Sequence, residues 1–566
     1  MPRISREDEI MLTATLPMAW YVGVDVGTAS VRAGLVDRDG TVHAWASEEI
    51  RVHQPQAGRY EQDSQDVWRA CCHVVRQVTT NVDVHQIRGI GFDATCSLVV
   101  LDENFGPLPV NEEGERCRNI VMWCDHRAIG EADQINCTRH AVLASLGGVM
   151  SPEMQPPKLL WLKRNLPDSW KKAWHFFDLP DFLTWKATGS LTRSLCCVVC
   201  KWTYNVDSGW DQSFWDEIGL SDICQEGYSR IGVDFLGPGQ PLSGGLTMHA
   251  ADELGLQPGT AVGAALIDAH AGTIGVIGGD VTGLGLACES QPITARLSMI
   301  GGTSTCHMAL SDKALFVGGV WGPYLSVVLP GLWLNEGGQS ATGSLIEHIV
   351  AGHPAYNELK KIADASGQST YEWLNRRVVS MATEGAPPAT LTSDLHVCPD
   401  FHGNRSPLAD SSRKGMVIGL DLSRTCDSLV LLYLATLQAL ALGTRHILNA
   451  MTQSGHNVSA IFMCGGLSKN SLYVQAHADA TGLPVVLPAE AEAVVVGAAI
   501  LGACASKDFT SMQEAMQHMV RVGKVIHPDP AVRSFYERKY KVYMLMGRNQ
   551  LEYRSLMSSA DHHANS

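Results

Sequence analysis

One device opens both halves of this chain. An apolar strand runs into a short glycine–threonine turn, and a second apolar strand follows. The first copy is Tyr21-Val22-Gly23-Val24-Asp25-Val26, then Gly27-Thr28, then Val31 to Val36. The second is Arg296 to Ile300, then Gly301-Gly302-Thr303-Ser304, then Thr305 to Leu310. Copies this far apart are not a short-period solenoid repeat; they predict two α/β domains of similar design facing each other.

The surrounding pattern extends both copies. Asp37-Arg38-Asp39-Gly40 predicts a hairpin turn into a third strand, Thr41 to Ala46. Residues 66–80 carry apolar positions at helical spacing. Ile87 to Phe92, the turn Asp93 to Ser97, and Leu98 to Leu101 read as the same strand–turn–strand device again. Ala460 to Cys464 predicts a strand running into Gly465-Gly466, with a helix opening at about Lys469. Gly278 to Gly285 breaks the pattern. The expected organisation is a flexible extension over 1–18, one domain over 19–280, a second over 281–545, and a polar tail over 546–566 that is disordered beyond Ser555.

A chain of 566 residues is long enough for this: division by about 150 allows three or four domains, and two large ones fit as well. Hydrophobic residues at 45% against charged residues at 18% exclude a long disordered protein. A net charge of −15 argues against broad nucleic-acid or anionic-membrane binding, while leaving room for a local basic phosphate pocket. No uninterrupted apolar run reaches the roughly 18–20 residues that span a bilayer, and the longest, Ala493 to Ala505, reads as a buried helix. The 16 cysteines are scattered; Cys196, Cys197 and Cys200 cluster without a second Cys/His pair at zinc-finger spacing and read as reduced, buried small hydrophobes. A reducing, cytoplasmic setting is expected.

Four segments carry chemistry. In Asp25-Val26-Gly27-Thr28-Ala29-Ser30-Val31-Arg32, a carboxylate at the end of a buried strand is costly unless it meets a cation or donors, Gly27 lets backbone approach a ligand, and Arg32 offers a phosphate-directed fork. Read singly, it fits an ordinary glycine hairpin with a capping Asp equally well. Gly301-Gly302-Thr303-Ser304 repeats the logic, and two such turns can grip a polyphosphate from both sides. Gly465-Gly466-Leu467-Ser468-Lys469-Asn470 can lay a flat aromatic ring on backbone or simply turn a strand into a helix. Asp268, after the apolar run Ala261 to Ile267, stands where it can serve as general base or as helix N-cap. His270 reads as structural. No G-x-x-x-x-G-K-[ST] occurs, and no G-x-G-x-x-G precedes a helix, which disfavours Walker ATPases, protein kinases and Rossmann dehydrogenases.

As an ordered set, Asp25-x-Gly-Thr, Asp268-Ala-His, Gly302-Thr303-Ser304 and Gly465-Gly466 resemble the FGGY family of carbohydrate kinases, over roughly Tyr21 to Tyr540. Pro156 to Leu162 and Gly415 to Ile447 look like further family segments. Asp93-Ala94-Thr95-Cys96-Ser97, Lys201-Trp202 and Asn335 to Ser340 are similar to segments of its D-ribulokinase branch. The resemblance implies two actin-like domains of the RNase H-like, sugar kinase/Hsp70/actin class with a cleft between them, and ATP-dependent phosphorylation of a ketopentose, with D-ribulose ahead of L-ribulose, D-xylulose or ribitol. It implies Asp268 as base; Ala94, Thr95, Cys96, Lys201, Asp268 and Glu336 at the sugar; Thr28, Ser30 and Arg32 at the transferring phosphate; and Asp25 holding Mg²⁺ through water. Thr303 would meet the β/γ-phosphates, and Gly343, Gly466, Leu467 and Asn470 the adenosine. Two positions depart from the family: Ala29, where polyol-kinase relatives often carry a hydroxyl, and Glu347, where some carry Gln. Homodimers occur in the family, without an interface signal here. A non-enzymatic ATP switch like actin or Hsp70 is the rival from another class.

Overall fold

The computed structural model describes residues 19–382 and 385–558. The expected extension over 1–18 and the last part of the tail, 559–566, lie outside them. Residues 546–558 do not form a tail: they are the last turns of a helix, Arg533–Ser558.

Two sheets share one strand order. In the first, Val42–Glu49, Ser30–Asp37, Trp20–Val26 and Ile87–Ala94 lie side by side, and both Ala261–Val262 and Leu266–Ile267 pair with the far edge of Ile87–Ala94. Trp20–Val26 is antiparallel to its hairpin partner and parallel to Ile87–Ala94. All seven of its residues are buried, which is why it reads as a continuous apolar run. In the second sheet Trp333–Gln339, Thr305–Ser311, Arg296–Gly301, Ala460–Cys464 and Val485–Pro488 repeat the order, extended at its ends by Trp321–Leu325 and Val522–Ile526. Arg296–Gly301 is antiparallel to Thr305–Ser311 and parallel to Ala460–Cys464. The Gly27 N–H bonds the Ser30 carbonyl at 3.0 Å, and the Gly302 N–H bonds the Ser304 carbonyl at 2.8 Å, so both glycine–threonine turns close as hairpins.

The segment around Asp93 does not. Ile87–Ala94 stays in the first sheet, whereas Leu98–Asp102 pairs with Ile120–Val121 and Ala173–Asp178 in a separate four-stranded sheet. The Thr95 N–H bonds the Val26 carbonyl at 3.0 Å, so residues 95–97 bridge two sheets rather than fold one strand back.

The helix predicted over 66–80 runs Ser64–Thr79, starts at Asp63, whose carboxylate accepts from the Gln65 N–H, and buries Val67, Trp68, Cys71, Val74, Val75 and Val78. The longest apolar helix is Cys426–Gln453, 28 residues with a mean hydropathy of 1.6 over its most apolar window. It is long and apolar enough to cross a membrane, but 72% of that window is buried inside the protein, where Leu437, Leu440 and Ile447 join the core of the second half. It outruns Ala493–Ala505 because polar side chains interrupt its apolar sequence without breaking the helix.

Ala493–Ala505 is buried as expected, but against the first sheet, over Trp20–Val26 and Ile87–Ala94, and against the helix Asp268–Ile277. Glycines make this approach. A Cβ on Gly23 would stand 2.0 Å from the Val495 carbonyl oxygen, and one on Gly89 2.1 Å from that of Gly502. Where the helices cross, a Cβ on Gly275 would stand 1.9 Å from the Ala493 oxygen, and one on Gly497 2.0 Å from the Ala271 oxygen.

Candidate active site

The two hairpin turns face one cavity of about 640 Å³, lined by Gly27 and Thr28 on one side and Gly301 to Ser304 on the other. At its floor, strand register sets Asp25 opposite Arg32 across the hairpin and beside Asp93 on the parallel neighbour. Asp25 is buried, and its Oδ2 takes an ion pair from Arg32 Nη1 at 3.1 Å. Burial raises its proton affinity, and Arg32 partly offsets this. Asp93 is fully buried beside Asp25, and among the described residues no donor reaches either of its carboxyl oxygens. Burial, with Asp25 and Asp268 adding to it, holds its carboxyl well above the usual range.

Asp268 is the first residue of the helix Asp268–Ile277 and lines the cavity. Ile267 takes the N-cap position, and Asp268 Oδ1 accepts from the Ala269 N–H at 2.7 Å, so the side chain is held by backbone without serving as the cap. It opens into the cleft while protein crowds it on the other sides. Burial pushes its carboxyl up to about 7, and the Asp25 carboxylate adds to that. A carboxylate poised near neutrality suits proton abstraction from an alcohol.

Beyond Asp268 the cavity is polar. Lys201, in the last turn of Leu195–Trp202, and Glu336, in the strand Trp333–Gln339, are both buried, with Nζ 3.5 Å from Oε2. Burial works against the charge of each; for Lys201 the attraction of Glu336 outweighs it, and for Glu336 that of Lys201 and then Arg405 does, so the pair is ionised. Arg405 was not foreseen. Its Nη2 reaches Glu336 Oε1 at 2.5 Å, and its guanidinium lies 4.0 Å from the Trp321 ring centre. Trp123, also unforeseen, lines the cavity and donates from Nε1 to Thr28 Oγ1 at 3.1 Å; Glu153 and Cys306 complete that end.

Of the residues the family resemblance implies, Asp25, Thr28, Arg32, Thr95, Cys96, Lys201, Asp268, Thr303, Glu336, Gly343, Gly466 and Leu467 all line this cavity. Three do not. Ala94 is fully buried and packs into the core of the first sheet, because its side chain points to the other face from Asp93. Ser30 stands outside the lining and contributes its carbonyl to the hairpin. Asn470 caps the helix Ser471–Thr481 through Oδ1, and its Nδ2 donates to the Tyr433 hydroxyl at 2.6 Å. That helix starts at Ser471, after a short 3-10 turn over Gly466–Lys469. Glu347 does line the cavity, with Oε2 accepting from the Tyr371 hydroxyl at 2.6 Å.

His270 is fully buried behind the site, and burial lowers it to about 4, so it is neutral. The fold brings it to Cys196 and Cys200, their ligand atoms within 4.8 Å of one another, which sequence spacing could not show. Burial keeps the Cys200 thiol protonated, Cys200 Sγ and His270 Nε2 stand 3.7 Å apart, and among the described residues His270 Nδ1 has no partner to orient it as a metal ligand.

Residues 20–275 match the N-terminal domain of the FGGY family of carbohydrate kinases, and residues 297–506 its C-terminal domain. A zebrafish protein, Danio rerio FGGY carbohydrate kinase domain-containing protein, is 60% identical over 539 residues, 95% of this chain and 99% of its own. A D-ribulokinase of Saccharomyces cerevisiae is 40% identical over 522 residues, 88% of this chain and 73% of its own. A xylulose kinase from Rhodospirillum rubrum shares the fold with a TM-score of 0.73 at 22% identity, over 94% of this chain and 99% of that one. A Plasmodium falciparum glycerol kinase solved with ADP shares it with a TM-score of 0.72 at 14% identity, over 94% of this chain and 98% of that one. The fold is thus the two-domain, actin-like one of sugar kinases, and the protein is an enzyme that uses ATP: the chain belongs to the FGGY family of carbohydrate kinases.

Proposed function

We propose that this enzyme transfers the γ-phosphoryl group of ATP to the terminal hydroxyl of a ketopentose, converting D-ribulose to D-ribulose 5-phosphate. The observation that carries the reading is the position of Asp268. A carboxyl poised at about 7 stands in the same cavity as two phosphate-cradling turns and the buried Lys201–Glu336 pair. The 40% identity to a protein named D-ribulokinase supports the choice of sugar.

Phosphoryl transfer asks for alignment and charge neutralisation more than for covalent chemistry. The sugar would lie between Lys201, Glu336 and Asp268, with its terminal oxygen at Asp268. Asp268 accepts the proton of that hydroxyl as the oxygen attacks the γ-phosphorus, and the P–O bond to ADP breaks in line. Backbone N–H groups of the Gly27-Thr28 and Gly302-Thr303 turns hold the phosphates from both sides, and Gly466 leaves its backbone open to the nucleoside. Asp25 fits a hard divalent cation: a buried carboxylate at the cavity floor, balanced by one arginine. It would hold Mg²⁺ through water, and the ion would supply charge neutralisation on the triphosphate. In this reading residues 19–280 form the sugar and phosphate half and 281–545 the nucleotide half.

The test is ADP release and mass detection of the product with MgATP and a panel of pentuloses, hexuloses and pentitols. D-ribulose should give the highest kcat/KM and a monophosphate. A higher value for L-ribulose, D-xylulose or ribitol moves the substrate; ATP hydrolysis with no sugar phosphate formed replaces the kinase by an ATP switch.

A further inference from the structure

Arg405 sits at the sugar end of the cavity with more hydrogen-bond donors than the protein can use. It comes from an irregular loop, residues 399–414, fixed from within: Asn404 pairs with Asp410 through both backbone groups at 2.9 Å, and Asn404 Nδ2 donates to Asp400 Oδ1 at 3.0 Å. The guanidinium stacks on Trp321, which also takes Lys201 Nζ at 4.3 Å from its ring centre. Gly338 makes the space, since a Cβ there would meet Arg405 Cδ, Cζ and Nε at 3.0 Å. One edge of the fork is spent on Glu336. Nη1 has only the sulfur of Cys306 at 3.9 Å, and Nε has no partner among the described residues. An arginine this constrained, with unspent N–H groups, is built to donate to an oxygen that arrives with the ligand.

The chemistry of the substrate says which oxygen. A 2-ketopentose closes its furanose ring through the oxygen on C5, so a kinase acting on that oxygen must take the open chain, whose C2 is a carbonyl. A carbonyl oxygen only accepts; the hydroxyl of the matching polyol also carries a hydrogen that needs an acceptor. Glu336 is already engaged by Lys201 and Arg405, which leaves a polyol hydroxyl at this place facing cations. We propose that Arg405 is the residue that selects a ketose over its polyol, donating to the sugar carbonyl from the edge of the guanidinium that Glu336 leaves free.

This rests on the ketose-kinase reading above. Lysine at 405 keeps the charge for Glu336 but has no second edge to offer.

The experiment compares the KM for D-ribulose with the competitive inhibition constant of ribitol in the wild type, Arg405→Lys and Gly338→Ala, each checked for an unchanged melting profile. The expected result is a rise in ketose KM of about tenfold to a hundredfold, the size of one charge-assisted hydrogen bond, with kcat changed less and the ribitol constant moved by under about threefold. Gly338→Ala, which shifts the guanidinium without altering charge, should likewise raise the ketose KM with little change in the ribitol constant, and it carries the same test where Arg405→Lys fails to fold. Equal shifts for ketose and polyol, or no shift for either, overturn the proposal while leaving the kinase reading intact. A wild type that phosphorylates no ketose overturns both.

Discussion

The carboxylate of Asp25 pushes the proton affinity of Asp268 upward, adding to the larger effect of burial that brings the group to about 7. Two like charges in one low-dielectric pocket each disfavour the other's ionisation. Asp268 must be ionised to accept a proton, so kcat/KM should fall as pH drops below about 7. Asp25→Asn removes the opposing charge and should move that acid limb to lower pH, whatever it does to the maximal rate. Rate profiles from pH 5 to 9 check this, and an unmoved limb would assign it to another group.

Replacement of the base itself should cost at least about 10²-fold in turnover, the lower range for general-base loss. Asp268→Asn keeps the shape and can still meet the backbone at 269, so circular dichroism and the melting profile should report an intact fold at neutral pH. Near-normal turnover in this variant would remove Asp268 from the mechanism.

The same carboxyl has a cost in stability, with a definite sign. Its proton is held more tightly in the folded chain, at about 7, than in the unfolded one, at 3.8. Its stabilising effect is therefore complete below pH 3.8 and lost as pH rises through 7. Asparagine does not titrate. Asp268→Asn should become progressively more stable than the wild type from pH 4 to 8, by on the order of 2 kcal/mol or more at the upper end, read as a widening gap in Tm. A gap that narrows with rising pH would contradict the sign.

Adjacent glycines should separate nucleotide binding from folding. Among the described residues a Cβ on Gly466 meets no atom within 4 Å, whereas one on Gly465, where φ is 87°, would stand 2.4 Å from the Gly301 carbonyl oxygen. Gly466→Ala should raise the KM for ATP at unchanged Tm, and Gly465→Ala should lower Tm itself. Titration with ATP and thermal melts of both variants distinguish the two effects.

The helix crossing predicts a purely structural variant. Gly497→Ala would drive a methyl group against the Ala271 carbonyl, far too close for either backbone to yield cheaply. Destabilisation of about 1–3 kcal/mol or more is expected, visible as a lower denaturant midpoint.

Much of the site was legible because its chemistry is carried by short motifs at strand ends. Asp25, the two glycine–threonine turns and Asp268 are each adjacent to an apolar run, and hydrophobic patterning locates such positions. Arg405 was invisible for the opposite reason: it rides an irregular loop with no periodicity, and only tertiary contact with Glu336 and Trp321 gives it a role. Ala94 lies outside the cavity lining because a motif names consecutive residues while a strand points their side chains to opposite faces. The supposed hairpin over residues 87–101 failed because a turn signal says that the chain leaves a strand, not which sheet it joins next. His270 and the cysteines of Leu195–Trp202 meet only through packing between two helices.

The placement of Ala493–Ala505 on the first sheet has a consequence for how the molecule is made. The strands Trp20–Val26 and Ile87–Ala94 leave a ribosome well before the helix that covers them, because most of both halves of the chain is translated in between. Until it arrives, one apolar face waits bare, exposed to chaperones and to self-association. A truncation that stops before residue 493 should therefore yield an aggregating fragment rather than a working half, however cleanly the chain divides on paper.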